Sequence, residues 1–523
     1  MDYLSDGNKI ICLINMTVMI DGETISINDV VLVARNFEKV GFSRNSREKV
    51  IKCRQFVESL VAGEQVVYGV TTGFGAFDNV CISKEKSEKL QENLILSHST
   101  AVGPPLPQEV VRAAMLLRAN SLAKGYSGVR IEIIETLIHM LNQRVHPMIP
   151  GKGSLGASGD LANLAHMVLV MLGKGEAFYH GERMSGDLAM ERAGIITVRL
   201  SSKEGLALIN GTQVMTSIAA LLVHDARILV KSSEITASMS LEALKGTARA
   251  YDEKVGRVRP HTGQITCADN LRRLTADSEI MESHRYDKKV QDAYSLRCIP
   301  QIVGAARDAL SFVKEKVEIE INSATDNPLL FPDEGEVISS GNFHGQVMAI
   351  SLDLLAIALS EVASVSERRI ERLVNPQLSG LPAFLTEKEG LDSGFMVAQY
   401  TAAALVSENK VLSHPASVDS IPTSANKEDH VSMGMTAALK ARQVFENASY
   451  VVAIELLCSA QGLDFRKPLK AGAGAAAAYE LVRSRIEHLT DDRILHYDIN
   501  EARDMVLSGE VLDAVEKVIG ELL

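Results

Sequence analysis

The run of sequence from Gly341 to Val374 constrains the fold most, because it contains no proline and only one glycine after its first residue. Its stretch QVMAISLDLLAIALSEVASVSERRIERLV places apolar residues three and four positions apart and becomes charged only near its end. This spacing is typical of a helix that is buried on nearly all sides before it reaches solvent. Residues 205–246 and 434–462 show the same pattern. The chain is therefore predicted to be mainly α, with a bundle of long helices at its centre.

Three regions follow from this pattern. Residues 1–204 are predicted to form a smaller mixed N-terminal region with glycine-rich loops, residues 205–465 the long-helix bundle, and residues 466–523 a C-terminal helical region. Near the start, the sequence MTVMIDGETISINDV predicts a short hairpin around Asp21-Gly22, followed by a helix capped near Asn28.

Composition limits the classes of function. The 523 residues are 46% hydrophobic, which is enough for a large core and excludes wholesale disorder. Lys and Arg number 54 against 66 Asp and Glu, and the net charge of −12 gives no global footprint for nucleic acid or an anionic membrane. No uncharged apolar run reaches 18 residues, and the six cysteines form no CxxC pair. We expect a cytoplasmic protein that acts on a small molecule, without a membrane partner.

Glycine-rich segments interrupt the helical pattern at three places, and these are YGVTTGFGAF (68–77), GKGSLGASGD (151–160) and GNFHGQ (341–346). In Ala157-Ser158-Gly159, a sharp bend could bring the glycine nitrogen onto the alanine carbonyl carbon. Loss of two waters, one of them carrying the serine hydroxyl, would then give a 4-methylidene-imidazol-5-one (MIO), which is an electrophile made from the chain itself. The tripeptide alone is also compatible with an ordinary glycine-rich turn before a helix.

The surrounding residues carry a family resemblance. GSLGASGDLANLAHM together with YGVTTGFG resembles the aromatic amino acid ammonia-lyases and aminomutases, which build MIO from Ala-Ser-Gly. The resemblance runs from about residue 16 to residue 500 and includes, in family order, KEGLALINGTQ, VQDAYSLRCIPQ, NSATDNPL, GNFHGQ and SENKVLSHPASVDSIPTSANKEDHVSMG. It implies an ammonia-lyase/fumarase-like fold, MIO as the only cofactor and a homotetramer with shared active sites.

The resemblance also implies roles for single residues. Tyr68 matches the tyrosine of the family's YGxxTGFG loop and would be the base, Tyr294 would assist it, and Arg297 would bind the substrate carboxylate with its planar fork. Asn210 and Gln291 would surround the substrate and MIO, and Phe343 would line the pocket. Read without the family, Tyr68 and Phe343 are packing residues and Arg297 is part of a structural ion pair.

Substrate choice depends on His98, Met396 and Glu408 in this reading. These residues and their neighbours resemble most the histidine ammonia-lyase branch, which converts L-histidine into trans-urocanate and ammonia. An imidazole needs one donor and one acceptor, and a histidine with a carboxylate supplies both. His98 could equally face a tyrosine phenol, so a tyrosine or phenylalanine ammonia-lyase or a 2,3-aminomutase stays open, as does an inactive paralogue.

Two further features bear on the site. Asn163 stands where the resembling family usually has proline, which would preset the backbone near a helix start. His414, His430, Glu428 and Asp429 resemble a metal cluster by composition but lack a ligand spacing such as HExxH, so we expect no metal and a supporting role near the pocket or an interface.

Overall fold

The computed structural model describes residues 17–63, 66–67, 69–70, 72, 84–287 and 290–523. The chain divides into two compact units, each discontinuous in sequence. Unit 1 comprises the described residues of Met1–Ser217, Glu318–Gly345 and Ser420–Ser432, and unit 2 those of Ile218–Val317, Gln346–Asp419 and Met433–Leu523. The boundaries predicted after residues 204 and 465 stay a prediction.

Unit 1 mixes short strands with helices of moderate length. Its elements are β1 (Val18–Ile20), α1 (Ile27–Arg35), β2 (Val40–Phe42), α2 (Arg44–Ala62), α3 (Lys84–His98), β3 (Val102–Pro105), α4 (Gln108–Ala123), α5 (Ile131–Asn142), β4 (Val145–Pro147), β5 (Pro150–Lys152), α6 (Leu161–Met171), β6 (Glu176–Tyr179), β7 (Glu182–Ser185), α7 (Gly186–Arg192), α8 (Glu204–Ile209), β8 (Leu329–Phe331) and β9 (Glu336–Ile338).

Small sheets and buried helices build the core of unit 1. β1 pairs in parallel with β2, and the antiparallel sheets are β3 with β5, β4-β6-β7, and β8 with β9. Buried Arg112 on α4 donates to the carbonyls of Val33 on α1 (2.7 and 2.9 Å) and Leu141 on α5 (3.1 Å). These bonds satisfy a buried charge and fix three helices against one another.

The hairpin predicted around Asp21-Gly22 is wrong. β1 takes β2 as its partner, with Val18 opposite Val40, whereas the Asp21 carboxylate accepts the backbone N–H groups of Glu23 (2.7 Å) and Thr24 (2.9 Å). The side-chain acceptor closes a turn that leads the chain into α1 instead of back along β1. The helix predicted to be capped near Asn28 is present as α1, and its cap is Ser26, which forms a capping box with Asp29.

Unit 2 consists of helices joined by loops, and none of the strands β1–β9 belongs to its described residues. Its elements are α10 (Glu253–Val258), α11 (Thr262–Leu274), α12 (Glu279–Ser283), α13 (Tyr294–Arg297), α15 (Gln346–Val374), α16 (Pro376–Ser379), α17 (Met396–Leu412), α18 (Gly434–Asp464), α19 (Ala473–Arg485), α20 (Leu495–Leu507) and α21 (Glu510–Ile519), and most of α9 (Gln213–Ala243) and α14 (Ile299–Glu320). The predicted mainly α fold with long helices is confirmed.

A buried ion pair joins three of the long helices. Arg369 on α15 and Glu455 on α18 are both fully buried, and Arg369 Nη2 donates to Glu455 Oε2 at 2.8 Å. The same carboxylate accepts from Ser240 on α9 (2.7 Å) and Ser366 on α15 (2.6 Å). Because every oxygen of Glu455 has donors, the charges are compensated and the helices are held in one register.

Two helical stretches are apolar and long enough to cross a membrane by length and composition alone. They are Glu204–Ala243 (mean hydropathy 1.7) and Gln346–Val374 (1.8), which counting uncharged runs in the sequence did not reveal. The apolar window is wholly buried in the first and 56% buried in the second. Core helices of water-soluble proteins have this property too.

Candidate active site

The Ala157-Ser158-Gly159 loop lies in unit 1 between β5 and α6. Ala157 is 7% exposed and Ser158 1% exposed, so the tripeptide is buried rather than a surface turn. Gly153, Gly156 and Gly159 have φ angles of 101°, 111° and 86°, in the region that residues with a Cβ rarely adopt. The glycines therefore allow a strongly bent backbone inside the protein.

Both backbone polar groups of Ala157 have partners from distant segments. Its N–H donates to Glu428 Oε2 at 3.0 Å, and its carbonyl oxygen accepts the N–H of Gly345 at 2.9 Å. The Ala157 residue is thus held from both ends, and its carbonyl carbon has a fixed position.

The surroundings of the Ser158 hydroxyl are consistent with its loss as water. Ser158 Oγ is buried and has no hydrogen-bond partner among the described residues. Most buried hydroxyls are paired, because an unpaired one costs roughly 1–3 kcal/mol. A serine that loses its oxygen as water removes this cost, so the residues present fit formation of MIO.

Asp160 fixes the other end of the tripeptide. Its Oδ2 accepts the N–H groups of Val214 (2.6 Å) and Met215 (3.2 Å) at the start of α9. Burial raises the pKa of Asp160 to about 8, against the effect of these two donors and of Arg118. At neutral pH the carboxyl is therefore mostly protonated.

Asn210 lies close in sequence to the residues that Asp160 binds. It is 8% exposed at the end of α8, and its carbonyl accepts Nη1 of the buried Arg118 at 3.1 Å. Arg118 Nη1 also donates to Gln213 Oε1 at 2.8 Å. Asn210 is therefore buried beside the guanidinium of Arg118, and its predicted role toward the substrate stays a prediction.

His98 and Phe343 approach the same part of unit 1. His98 is the last residue of α3; burial lowers its pKa, while a hydrogen bond at the Leu94 backbone and the charge of Glu428 raise it. Because the net shift is downward, its ring is mainly neutral at pH 7. Phe343 is half-buried two residues before Gly345, whose N–H binds Ala157.

The remaining predicted residues that the structure describes lie in unit 2. Tyr294 and Arg297 are the first and last residues of α13, with the guanidinium carbon 4.6 Å from the centre of the tyrosine ring. Tyr294 is 70% exposed, and Arg297 Nε is buried without a hydrogen-bond partner among the described residues. The role of Arg297 in binding a carboxylate, like the alternative of a structural ion pair, stays a prediction.

Gln291, Met396 and Glu408 complete the predicted set. Gln291 is exposed just before α13, Met396 begins α17, and Glu408 is exposed on the same helix. The twelve positions between Met396 and Glu408 correspond to about 18 Å along a helix axis, so these two side chains do not form a contact pair. Tyr68 lies outside the described residues.

Glu428, expected from the sequence only to support the pocket or an interface, and Gly345 bind Ala157 through contacts that the sequence did not reveal. Glu428 was grouped with a composition resembling a metal cluster, whereas its carboxylate binds Ala157 from 271 positions away. Among the described residues, no group of three or more His, Cys, Asp or Glu side chains could hold a metal ion. In the sequence, Gly345 stands in a glycine-rich segment and Glu428 in a block that resembles the family, but neither position reveals the contact.

Asn163 supplies a constraint of its own beside the loop. It is fully buried in the first turn of α6, and its Nδ2 donates to the carbonyl of Pro150 on β5 at 2.7 Å. This bond joins the segment before the loop to the helix after it. A side-chain hydrogen bond thus stands where proline would act through φ.

The chain is a mainly helical protein with a buried Ala-Ser-Gly tripeptide, held at Ala157 by Glu428 and Gly345. The profile described as aromatic amino acid lyase matches residues 25–484. The chain is 60% identical to a histidine ammonia-lyase of Alkaliphilus oremlandii over 96% of this chain and 99% of that protein.

Solved structures agree with this relationship. A histidine ammonia-lyase from Trypanosoma cruzi matches with a TM-score of 0.90 and 41% identity over 96% of this chain and 95% of that one. A tyrosine aminomutase from Streptomyces globisporus matches with a TM-score of 0.90 and 38% identity over 96% and 99%. The chain belongs to the aromatic amino acid lyase family, whose members characteristically depend on MIO.

Proposed function

We propose that the protein is an ammonia-lyase that eliminates ammonia from L-histidine to give trans-urocanate. The observation that carries this proposal is the buried Ser158 hydroxyl without a partner, next to an alanine peptide held by Glu428 and Gly345. The MIO ring formed from Ala157, Ser158 and Gly159 would supply the electrophile that makes departure of the amine possible. The 60% identity to a named histidine ammonia-lyase supports the substrate.

The chain's own residues bind the substrate and move its proton. Arg297, with its free Nε, would hold the substrate carboxylate, and Tyr294 lies against the same guanidinium. Asn210 and Gln291 would bind polar groups of the substrate. Tyr68 is proposed as the base that removes the β-proton, and its ordinary pKa near 10 means that it needs neighbouring positive charge to act as a phenolate.

Selection of histidine would use His98, Glu408, Met396 and Phe343. A mainly neutral His98 can donate to or accept from an imidazole nitrogen, and a carboxylate supplies the complementary acceptor. The structural match to a tyrosine aminomutase supports one alternative, an enzyme that acts on tyrosine, because His98 could also bind a phenol. That alternative predicts faster turnover of tyrosine, or a β-amino acid product.

We further propose a homotetramer in the cytoplasm whose active sites combine neighbouring chains. Two helices of unit 2 have large apolar side chains that are exposed to solvent. They are Val347, Ile350 and Ile357 on α15 and Val397, Tyr400 and Val411 on α17. Apolar surface grouped in this way is usually covered by another protein surface. The exposure of Tyr294 and Glu408 agrees with sites that a neighbouring chain completes.

A substrate panel tests the proposed function. The purified protein is incubated separately with L-histidine, L-tyrosine and L-phenylalanine, and the products are identified by absorbance and mass. We expect trans-urocanate and ammonia from histidine, with far slower turnover of the other two. In Ser158→Ala, which cannot form the methylidene, we expect an unchanged circular dichroism spectrum and nearly complete loss of turnover.

Other results would contradict the proposal in defined ways. Faster release of ammonia from tyrosine or phenylalanine would replace the substrate, and a β-amino acid would replace the reaction. Wild-type-like activity of Ser158→Ala would refute the mechanism. No turnover of any of the three, with an unmodified chain mass, would favour the inactive paralogue.

A further inference from the structure

Gly345 contacts the tripeptide at the carbonyl that would react. Its backbone N–H donates to the Ala157 oxygen at 2.9 Å, and Gly345 is buried. The two residues are far apart in sequence but belong to the same unit. The residue type of Gly345 alone suggests no role in forming the electrophile; the contact with Ala157 does.

We propose that the Gly345 N–H is the oxyanion donor for the self-processing of Ala157-Ser158-Gly159. This inference rests on the proposed function, because it assumes that the tripeptide becomes MIO. When the Gly159 nitrogen attacks the Ala157 carbonyl carbon, negative charge develops on the Ala157 oxygen. The Gly345 N–H already points at the ground-state Ala157 oxygen from 2.9 Å. A fixed donor stabilises the charged oxygen when it lies about 2.7–3.1 Å from the position which that oxygen takes up.

The reaction balances without any co-reactant. A bond forms between the Gly159 nitrogen and the Ala157 carbonyl carbon, and the Ala157 oxygen leaves as water with the protons of the Gly159 and Ser158 nitrogens. The Ser158 hydroxyl then leaves as a second water with the proton of the Ser158 Cα, which creates the methylidene. Nothing is oxidised or reduced. Because the first step places negative charge on the Ala157 oxygen, a donor already held there stabilises its transition state.

Glycine is required at position 345 for space rather than for backbone conformation. A Cβ built on Gly345 would lie 2.8 Å from the Ser158 carbonyl oxygen and 3.0 Å from both Met215 Sδ and Met215 Cε. Backbone oxygen cannot move aside as a flexible side chain can, so a methyl group would push the N–H away from Ala157. Gly341, in the same loop, would meet nothing within 4 Å and provides the matched control.

The first experiment compares Gly345→Ala with Gly341→Ala by intact-mass spectrometry. Complete processing removes two waters, a deficit of about 36 Da from the unprocessed chain. We expect Gly341→Ala to show the full deficit and Gly345→Ala to retain the unprocessed mass while giving a wild-type circular dichroism spectrum. A folded Gly345→Ala chain with the full deficit would contradict the requirement for glycine.

A second variant separates the N–H from the added methyl group. Cell-free translation with a suppressor tRNA carrying glycolic acid replaces the Gly345 amide by an ester, which removes the N–H and adds no bulk. Loss of one oxyanion donor slows acyl chemistry by about 10²–10³, so we expect the mass deficit to appear roughly a hundredfold more slowly than in wild type. If Gly345→Ala fails to fold, this ester variant alone tests whether the Gly345 N–H acts as the oxyanion donor.

The two proposals fail separately. A wild-type chain that loses both waters beside an ester variant that loses them equally fast refutes the role of Gly345 and leaves the proposed function intact. A wild-type chain that never loses them refutes the proposed function and this inference together.

Discussion

Single side chains at the loop act through specific atoms. Ala157 is bound at its N–H by Glu428 and at its oxygen by Gly345, and Asp160 binds the start of α9. These contacts hold the backbone in a bend that its own residues would not keep in water, since ordering each residue costs about 1–2 kcal/mol. The chemistry of the tripeptide therefore depends on residues outside it.

Glu428→Ala should lower kcat without unfolding the protein. It removes the acceptor of the Ala157 N–H, and a hydrogen bond to a charged group contributes about 1.5–3 kcal/mol. If this loosens the loop, we expect kcat to fall about tenfold or more. The neighbouring Asp429 is exposed, so Asp429→Ala is the control. Equal kinetic effects of the two variants would show that Glu428 has no special role.

Asp160→Asn should change how stability depends on pH. The folded-state pKa of Asp160 is raised to about 8, so the stability it contributes is fully present below about pH 4 and is lost as pH rises through 8. The neutral asparagine keeps an acceptor and does not titrate. Between pH 4 and 8, we expect the free energy of unfolding of the variant to rise relative to that of wild type by up to about 1.4 kcal/mol per pH unit, as measured by urea unfolding. Parallel profiles would contradict the shift.

At the scale of elements, periodicity in the sequence predicts helices well and pairings poorly. The predicted long helices correspond to α15 and α18, because apolar spacing directly reports a buried helical face. The hairpin prediction is wrong because the partner of β1 is β2, beyond an intervening helix. The contacts of Glu428 and Gly345 with Ala157 could not be predicted for the same reason, since local spacing carries no information on which distant segments meet.

Asn163 provides the prediction at this scale. Asn163→Leu keeps the number of side-chain heavy atoms but removes the hydrogen bond between α6 and the Pro150 carbonyl, and loss of a buried hydrogen bond costs about 1–3 kcal/mol. Asn163→Pro loses the same bond but presets φ in the first turn of the helix. We therefore expect the thermal midpoint to fall in the order Asn, Pro, Leu. A leucine variant as stable as wild type would show that the bond contributes nothing.

At the scale of the whole molecule, the residues proposed for the site belong to both units. Unit 1 contains the tripeptide, His98, Asn210 and Phe343, and unit 2 contains the Tyr294–Arg297 pair. Family membership confirms the resemblance found in the sequence, including the mainly α fold. The assignment of roles to single residues of the proposed site, and the proposed tetramer, stay predictions.

Disrupting the apolar face of α15 should break the proposed assembly. Ile350 is 49% exposed on this helix, so aspartate there would place charge in an interface if one forms. We expect Ile350→Asp to elute as a smaller species than wild type in light-scattering chromatography and to lose activity. Ile196→Asp, at a residue 88% exposed in unit 1, should change neither. An unchanged mass for Ile350→Asp would exclude this face.

The central claim is that the buried tripeptide closes into a ring and creates the protein's own electrophile. The most direct measurement is the mass of the proteolytic peptide that contains residues 151–160, taken from wild-type protein that turns over histidine. The account predicts a peptide lighter by about 36 Da than its sequence, with the loss confined to these residues. A peptide of full mass in such an active preparation would contradict it.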